Sequence, residues 1–259
     1  MKKVTTSTLL EMKKNGEKIA ALTAYDAPIS KILNECGIDI VLVGDSVGNV
    51  KLGYENTIPV TIEEMLHHTK AVKRGNSSAL LVADLPYLSY HFSVDEAKRN
   101  AGRLIKEGGA EAVKLEGGIE IANTVKALTD IHIPVMGHLG LTPQSIHQIG
   151  GYKMQGKSPK SAEKMVTDAK ILEGAGVFAI VLECVPSDLA LEITEKVSVP
   201  TIGIGAGRHS DGQILVSDDI LGLTEENVPK FVKRYARLRE EILKAVKNFK
   251  SEVKAKRYP

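Results

Sequence analysis

Four apolar runs in this chain each end in an acid, and that recurrence limits what the chain can fold into. Ile38 to Val43 leads through Gly44 to Asp45. Leu80-Leu81-Val82-Ala83 ends in Asp84, Ala112-Val113-Lys114-Leu115 in Glu116, and Ala179-Ile180-Val181-Leu182 in Glu183. Short aliphatic runs without polar alternation are the signature of strands covered on both faces, as in a parallel sheet under helices. An acid at the C-terminal end of such a strand lies at one rim of the sheet. A single such acid caps a helix or meets solvent. Four in register point to a site.

Helix signals fill the spaces between the strands. Asp26 and Pro28 open a helix that runs to about Cys36 and stops at Gly37. Thr61 with Glu64, and Ser93 with Glu96, read as capping boxes for helices reaching Lys73 and Lys106. Further helices are expected over Thr5 to Asn15, Glu120 to Thr129, Ser161 to Glu173, Ser187 to Lys196 and Val228 to about Val253. The expected strands are Lys18 to Tyr25, Ile38 to Gly44, Ala79 to Ala83, Ala112 to Leu115, Ile133 to Met136, Phe178 to Leu182 and Pro200 to Ile204, with a weaker eighth over Gln213 to Val216. Asn49 to Pro59 and Thr142 to Pro159 read as loops, and loops of this length are candidate lids. The repeat of about 25 to 35 residues suits parallel βαβ units. No linker divides the 259 residues. The expectation is one α/β domain over 1–259, a (β/α)8 TIM barrel with an extra N-terminal helix. The alternative is an open doubly wound sheet. It lacks support because no GxGxxG turn follows the first strand, and Gly203, Gly205 and Gly207 do not have that spacing.

Composition excludes several classes of function. A net charge of +2 makes no global case for nucleic acid, and the absence of Trp argues against a base-stacking platform. No apolar run is long enough for a membrane helix. Met1-Lys2-Lys3 is not followed by the apolar segment of a signal peptide. Cys36 and Cys184 are far apart and have no metal-ligand spacing, so a reduced, cytoplasmic protein is expected.

Barrel active sites lie at the C-terminal ends of the strands, where Asp45, Asp84, Glu116 and Glu183 all fall. An oxygen-only donor set suits a hard cation such as Mg²⁺, which often takes only one or two carboxylates. The competing reading has each acid capping a helix or pairing with a lysine. Lys114 shares a strand face with Glu116. Its partner is an anionic substrate, a metal-bound carboxylate, or Asp84 or Glu116 in a structural ion pair. His138 is expected to follow the fifth strand, either close to a ligand or bonded to a backbone carbonyl. Ser46 binds an anion or caps a turn. Gly203, Gly205 and Gly207 form an anion cradle or a plain turn. The lysines from Lys244 to Lys256 alternate with apolar residues and read as the wet face of a helix.

Taken together, the stretches Thr23 to Pro28, Val43 to Ser46, Ala83 to Pro86, Val113 to Gly117, Met136 to Gln144, Leu182-Glu183, Gly203 to Gly207 and Asp211 to Val216 resemble the ketopantoate hydroxymethyltransferase family. Their order and spacing carry the resemblance from about Thr5 to Leu223. Ser210 departs from the pattern, since many relatives have cysteine there. The resemblance implies a barrel of the phosphoenolpyruvate/pyruvate type. It implies hydroxymethyl transfer from 5,10-methylenetetrahydrofolate to 3-methyl-2-oxobutanoate through an enolate, giving 2-dehydropantoate, the first committed step of pantothenate synthesis. It implies Mg²⁺ held by Asp45 and Asp84, with Glu116 associated directly or through water. Ser46 and Lys114 would hold the substrate carboxylate, and Glu183 would be the general base. The family is typically a homodecamer of two pentameric rings.

Overall fold

In the computed structural model, which describes residues 2–225 and 228–259, eight parallel strands close into a barrel in chain order. They are β1 (Ile19–Thr23), β2 (Ile40–Val43), β3 (Leu80–Asp84), β4 (Ala112–Glu116), β5 (Val135–Gly140), β6 (Ala179–Glu183), β7 (Thr201–Ile204) and β8 (Gly212–Leu215). The barrel expectation therefore holds, including the weak eighth strand.

Side-chain parity explains how the rim is built. Ile19, Ala21, Ile40, Leu42, Leu80, Val82, Ala112, Met136, Ala179, Val181, Ile202 and Ile214 pack together inside the barrel. A strand's side chains alternate in direction. Two residues beyond Val82, Ala112, Met136 and Val181 come Asp84, Lys114, His138 and Glu183, and Glu116 lies two beyond Lys114. The hydrocarbon filling of the barrel thus gives way to a charged layer at its C-terminal end. The opposite parity, including Val41, Val43, Leu81, Ala83, Val113 and Leu115, packs in the cluster that the helices cover.

The other end of the barrel is closed by the helix Thr6–Asn15. Thr5 caps it in a reciprocal box with Thr8, and Gly16 ends it at φ 70°. This helix places Leu9, fully buried, among the interior residues. The expected caps are present elsewhere. Asp26 accepts from the Ile29 N–H at 2.8 Å. Thr61 and Glu64 make a full box, whereas Ser93 accepts from the Glu96 N–H without the return bond.

Three expectations need correction. β5 does not stop at Met136 but continues to Gly140, so His138 lies on the strand rather than after it. Both neighbours hold it there: Glu116 pairs with His138 on one side, and Leu182 and Glu183 pair with Leu139 and Gly140 on the other. The glycines permit this, because a Cβ on Gly137 would lie 3.0 Å from Leu172 Cδ1. The expected long C-terminal helix begins at Leu238, not Val228. The segment before it bonds elsewhere: the N–H groups of Tyr235, Leu238 and Arg239 donate to the carbonyls of Ile220, Leu221 and Gly222. Two of these N–H groups belong to the first helical turn, where no intrahelical acceptor exists. The expected loop Thr142 to Pro159 carries a short helix, Ile146–Ile149, and another, Val47–Val50, runs into the start of the loop expected from Asn49.

By its contacts the chain divides into two units, Met1–Ile214 and Leu215–Pro259. The first holds the interior and the charged rim. The second holds the helix Ser217–Ile220, in which Ser217, Asp218 and Asp219 are buried, and the helix Leu238–Lys254, which has no buried residue. Among the described residues no helix is long and apolar enough to cross a membrane.

Both cysteines are free; Cys36 is exposed and Cys184 half-buried. Burial, with the Glu183 charge behind it, pushes the Cys184 thiol up to about 11. At pH 8 roughly one Cys184 in a thousand is then thiolate, the reactive form. Iodoacetamide at pH 8 should therefore label Cys36 first, and labelling of Cys184 should accelerate about tenfold per pH unit until pH 11. Equal rates at pH 8, by mass spectrometry of peptides, would contradict this. A second prediction concerns Gly140, which has φ 97° and would place a Cβ 2.1 Å from the Glu183 carbonyl oxygen. Gly140→Ala should cost about 2–4 kcal/mol in urea unfolding.

Candidate active site

Asp45, Asp84, Lys114, Glu116 and His138 are each at most 5% exposed, an unusual concentration of buried charge. β3 and β4 bring the first pair together, since Asp84 is the register partner of Lys114. Lys114 Nζ lies 3.1 Å from Asp84 Oδ1, 3.9 Å from Glu116 Oε1 and 3.2 Å from His138 Nδ1. Asp45, just past β2, joins through its backbone: its N–H donates to Asp84 Oδ2 at 3.0 Å.

β5 then links this cluster to β6. His138 Nδ1 is 3.3 Å from Glu116 Oε1, and Nε2 is 3.2 Å from Glu183 Oε2. Nε2 makes no well-aligned hydrogen bond, so charge and proximity, more than a directed bond, tie Glu183 to the ring. Glu183 is the least enclosed of the four acids, its side chain 17% exposed.

All four rim acids and Lys114 therefore meet in one place, as the sequence pattern suggested. Ser46 stands beside them, its Oγ 2.8 Å from the Tyr25 hydroxyl. Of the alternatives for Lys114, the ion pair with Asp84 is present. The backbone-carbonyl reading of His138 is not: its ring lies between two carboxylates and an ammonium. Sequence reasoning also missed Gln144 and Tyr90. Gln144 donates from Nε2 to Asp45 Oδ2 at 2.9 Å and from its backbone N–H to Glu116 Oε2 at 3.0 Å. Tyr90 OH donates to Gln144 Oε1 at 2.9 Å. Gln144 stood at the end of the stretch Met136 to Gln144 that carries the family resemblance, but nothing in its residue type or spacing assigned it a role. Tyr90 sits in a loop with no period to mark it.

The charges do not balance within the cluster. Desolvation first, then the charges of Asp84 and Glu116, hold the Asp45 carboxyl well above its usual range. Desolvation also raises Asp84, against the pull of Lys114. Burial works against the Lys114 ammonium, but Asp84, Glu116 and Asp45 outweigh it and keep the lysine charged. For Glu116 burial is outweighed by His138 and Lys114, and its pKa is lowered. Burial and Lys114 oppose a charged His138, yet Glu116 and Glu183 push it up to about 9. Three buried carboxylates thus surround one lysine and one histidine.

That deficit of positive charge fits a hard divalent cation. Asp84 Oδ1 and Glu116 Oε1 are buried and accept no well-aligned hydrogen bond, which leaves acceptor capacity directed into the cluster. Among the described residues, no three His, Cys, Asp or Glu side chains converge on one point as a ready-made cage.

Comparison with known proteins agrees with this geometry. A profile of the ketopantoate hydroxymethyltransferase family matches residues 3–259. The chain is 59% identical to a 3-methyl-2-oxobutanoate hydroxymethyltransferase of Thermoanaerobacter sp. (strain X514), covering 99% of this chain and 94% of the relative. It is 56% identical to the protein of that name from Syntrophomonas wolfei, covering 100% and 94%. Among solved structures the fold is similar to phosphonopyruvate hydrolase complexed with oxalate and Mg²⁺, with TM-score 0.63 and 13% identity over 98% of this chain and 88% of that one. It is also similar to 2,3-dimethylmalate lyase of the PEP mutase/isocitrate lyase superfamily, with TM-score 0.59 and 12% identity over 96% and 87%. A closed barrel with its acids at one rim, and sequence identity along nearly its whole length, make this chain a transferase of the ketopantoate hydroxymethyltransferase family.

Proposed function

We propose that the protein transfers a hydroxymethyl group from 5,10-methylenetetrahydrofolate to 3-methyl-2-oxobutanoate, giving 2-dehydropantoate and tetrahydrofolate for pantothenate synthesis in the cytoplasm. The observation that carries this reading is the pairing of Lys114 and three buried acids with a fourth acid, Glu183, held beyond His138. Asp45 and Asp84 are the proposed Mg²⁺ ligands, with Glu116 acting through water because its oxygens face His138, Lys114 and the Gln144 N–H. Bound there, Mg²⁺ supplies a Lewis acid for the keto oxygen of the substrate.

The chain's own groups do the rest. Lys114 and Ser46 hold the substrate carboxylate, and the Lys114 charge favours the anion as it forms. Glu183 removes the proton from C3, which the adjacent ketone acidifies. His138, charged between Glu116 and Glu183, is a positioning residue: it fixes where the base stands. Water adds to the methylene carbon as its two C–N bonds break, and the two water protons restore the N–H groups of tetrahydrofolate. The C3 carbanion adds to this formaldehyde-level carbon, and the alkoxide so formed takes the proton that Glu183 removed.

Proton NMR of deuterium exchange at C3 of 3-methyl-2-oxobutanoate tests this directly. Exchange should require Mg²⁺ and be abolished by a chelator. Glu183→Gln should slow exchange by roughly 10²–10⁴-fold with Mg²⁺ binding retained. Unchanged exchange in that variant would remove Glu183 as the base. A product formed equally well without the folate would assign the site to a lyase or mutase reaction instead.

The protein is also proposed to be a homodecamer of two pentameric rings. In support, the helix Leu238–Lys254 presents Ile242, Leu243, Val246, Phe249 and Val253 along one side, each 41–59% exposed. A contiguous apolar stripe of this kind is normally covered by another protein surface. Light scattering after size-exclusion chromatography should give ten times the 28.0 kDa chain mass. A monomer would overturn the assembly.

A further inference from the structure

The proposed reaction leaves Gln144 without a role, yet this buried side chain is bonded at both ends of its amide. Nε2 donates to Asp45 Oδ2 at 2.9 Å and to the Leu85 carbonyl at 3.0 Å, which uses both of its N–H groups. Oε1 lies 2.9 Å from the Tyr90 hydroxyl. These partners fix which way the amide faces: turned over, its oxygen would meet a carboxylate and a carbonyl. The backbone N–H of the same residue donates to Glu116 Oε2 at 3.0 Å. Pro143 opens the 3-10 turn Pro143–Ser145 and stiffens the chain from which that N–H projects. One residue beyond β5 thus grips groups at the ends of β2, β3 and β4. With both side-chain donors spent, its amide has none left for a substrate.

The effect falls on the carboxylates. Each of three acids has one oxygen occupied: Asp45 Oδ2 by the Gln144 amide, Glu116 Oε2 by the Gln144 N–H, and Asp84 Oδ2 by the Asp45 N–H at 3.0 Å. The remaining oxygens of Asp84 and Glu116 are buried and accept no well-aligned hydrogen bond. Acids held in this way offer a cation one oxygen each. Ca²⁺ takes six to eight oxygens at about 2.3–2.6 Å, commonly both from one carboxylate, whereas Mg²⁺ demands a near-ideal octahedron at about 2.0–2.1 Å. Tying down the second oxygen of each acid denies the larger ion its two-oxygen contacts and leaves single contacts for the smaller one.

We infer that Gln144 is a positioning residue of the metal site: it restricts Asp45 and Glu116 to one available oxygen each and so favours Mg²⁺ over a larger divalent cation. The inference rests on the proposed Mg²⁺ site at Asp45 and Asp84.

Calorimetry of Mg²⁺ and Ca²⁺ binding to the metal-free, full-length protein tests it. The variants are Gln144→Met, which keeps the length and removes the donors, and Gln144→Asn, which keeps the amide and withdraws it by one methylene. Either should weaken Mg²⁺ binding roughly 10–100-fold. Ca²⁺ binding should weaken by less than about threefold, because Asp45 regains its second oxygen for that ion. The preference for Mg²⁺ over Ca²⁺ therefore narrows. Equal losses for the two cations would mark a general disturbance of the rim and overturn the proposal, as would unchanged Mg²⁺ binding. Crystal structures of the wild-type protein with and without Mg²⁺ supply a measurement that needs no variant. The bond from Gln144 Nε2 to Asp45 Oδ2 should be kept on loading, and its loss would overturn the proposal even if neither variant folds. A wild-type protein that binds neither cation would instead overturn the metal reading on which the inference rests.

Discussion

The Lys114 ammonium, sealed among carboxylates at the rim of the barrel, is the interaction on which the rest of the site depends. A lone ammonium there would cost several kcal/mol to desolvate. Asp84 at 3.1 Å offsets this, and Glu116 and Asp45 add to the attraction. Yet three acids crowd one another as much as they hold the lysine, and the cluster does not hold itself together. The hydrocarbon layers beneath it do so. Ala112, Val82, Met136 and Val181 lock the strands in register, and the alternating pleat then forces the polar side chains inward. Stability comes from the middle of the barrel and is partly given back at its rim, as is common where backbone and charge are arranged for chemistry.

The loop after β5 ties this arrangement together. Gln144 holds Asp45 with its side chain and Glu116 with its backbone, so groups from β2 and β4 are set by one residue from a third segment. The Tyr90 hydroxyl lies 2.9 Å from Gln144 Oε1 and 3.0 Å from the Glu116 carbonyl oxygen, so its one proton lies between these two acceptors. A displacement of any of these segments would be transmitted to the acids. This cross-bracing is how loops, ordinarily the mobile part of a barrel, hold side chains accurately enough for proton transfer.

Much of this was legible in the sequence because it rests on short-range rules. Apolar runs gave the strands, and Asp26, Thr61 and Ser93 gave the helix starts. The acids at the strand ends gave the site, because parity carries from a buried core to its rim. What escaped notice depends on contacts distant in sequence. His138 lies on β5 because β4 and β6 both pair with it; Gly137 and Gly140, taken alone, suggested a break. Gln144 and Tyr90 carry no periodic signal, and only the closed barrel brings them to the cluster. The C-terminal helix began late because its first N–H groups found carbonyls at Ile220 to Gly222, a choice that helix propensity does not encode.

The helix Thr6–Asn15 has one further effect. With Leu9 pushed into the base of the barrel, the charged layer has hydrocarbon behind it and an opening ahead. Water can screen the cluster from one side only. Field lines that would spread through an open tube are directed toward the mouth, where low-dielectric walls concentrate them. The barrel therefore behaves as a one-ended electrostatic vessel, and a single leucine far from any reacting atom helps set the direction from which a charged molecule senses it.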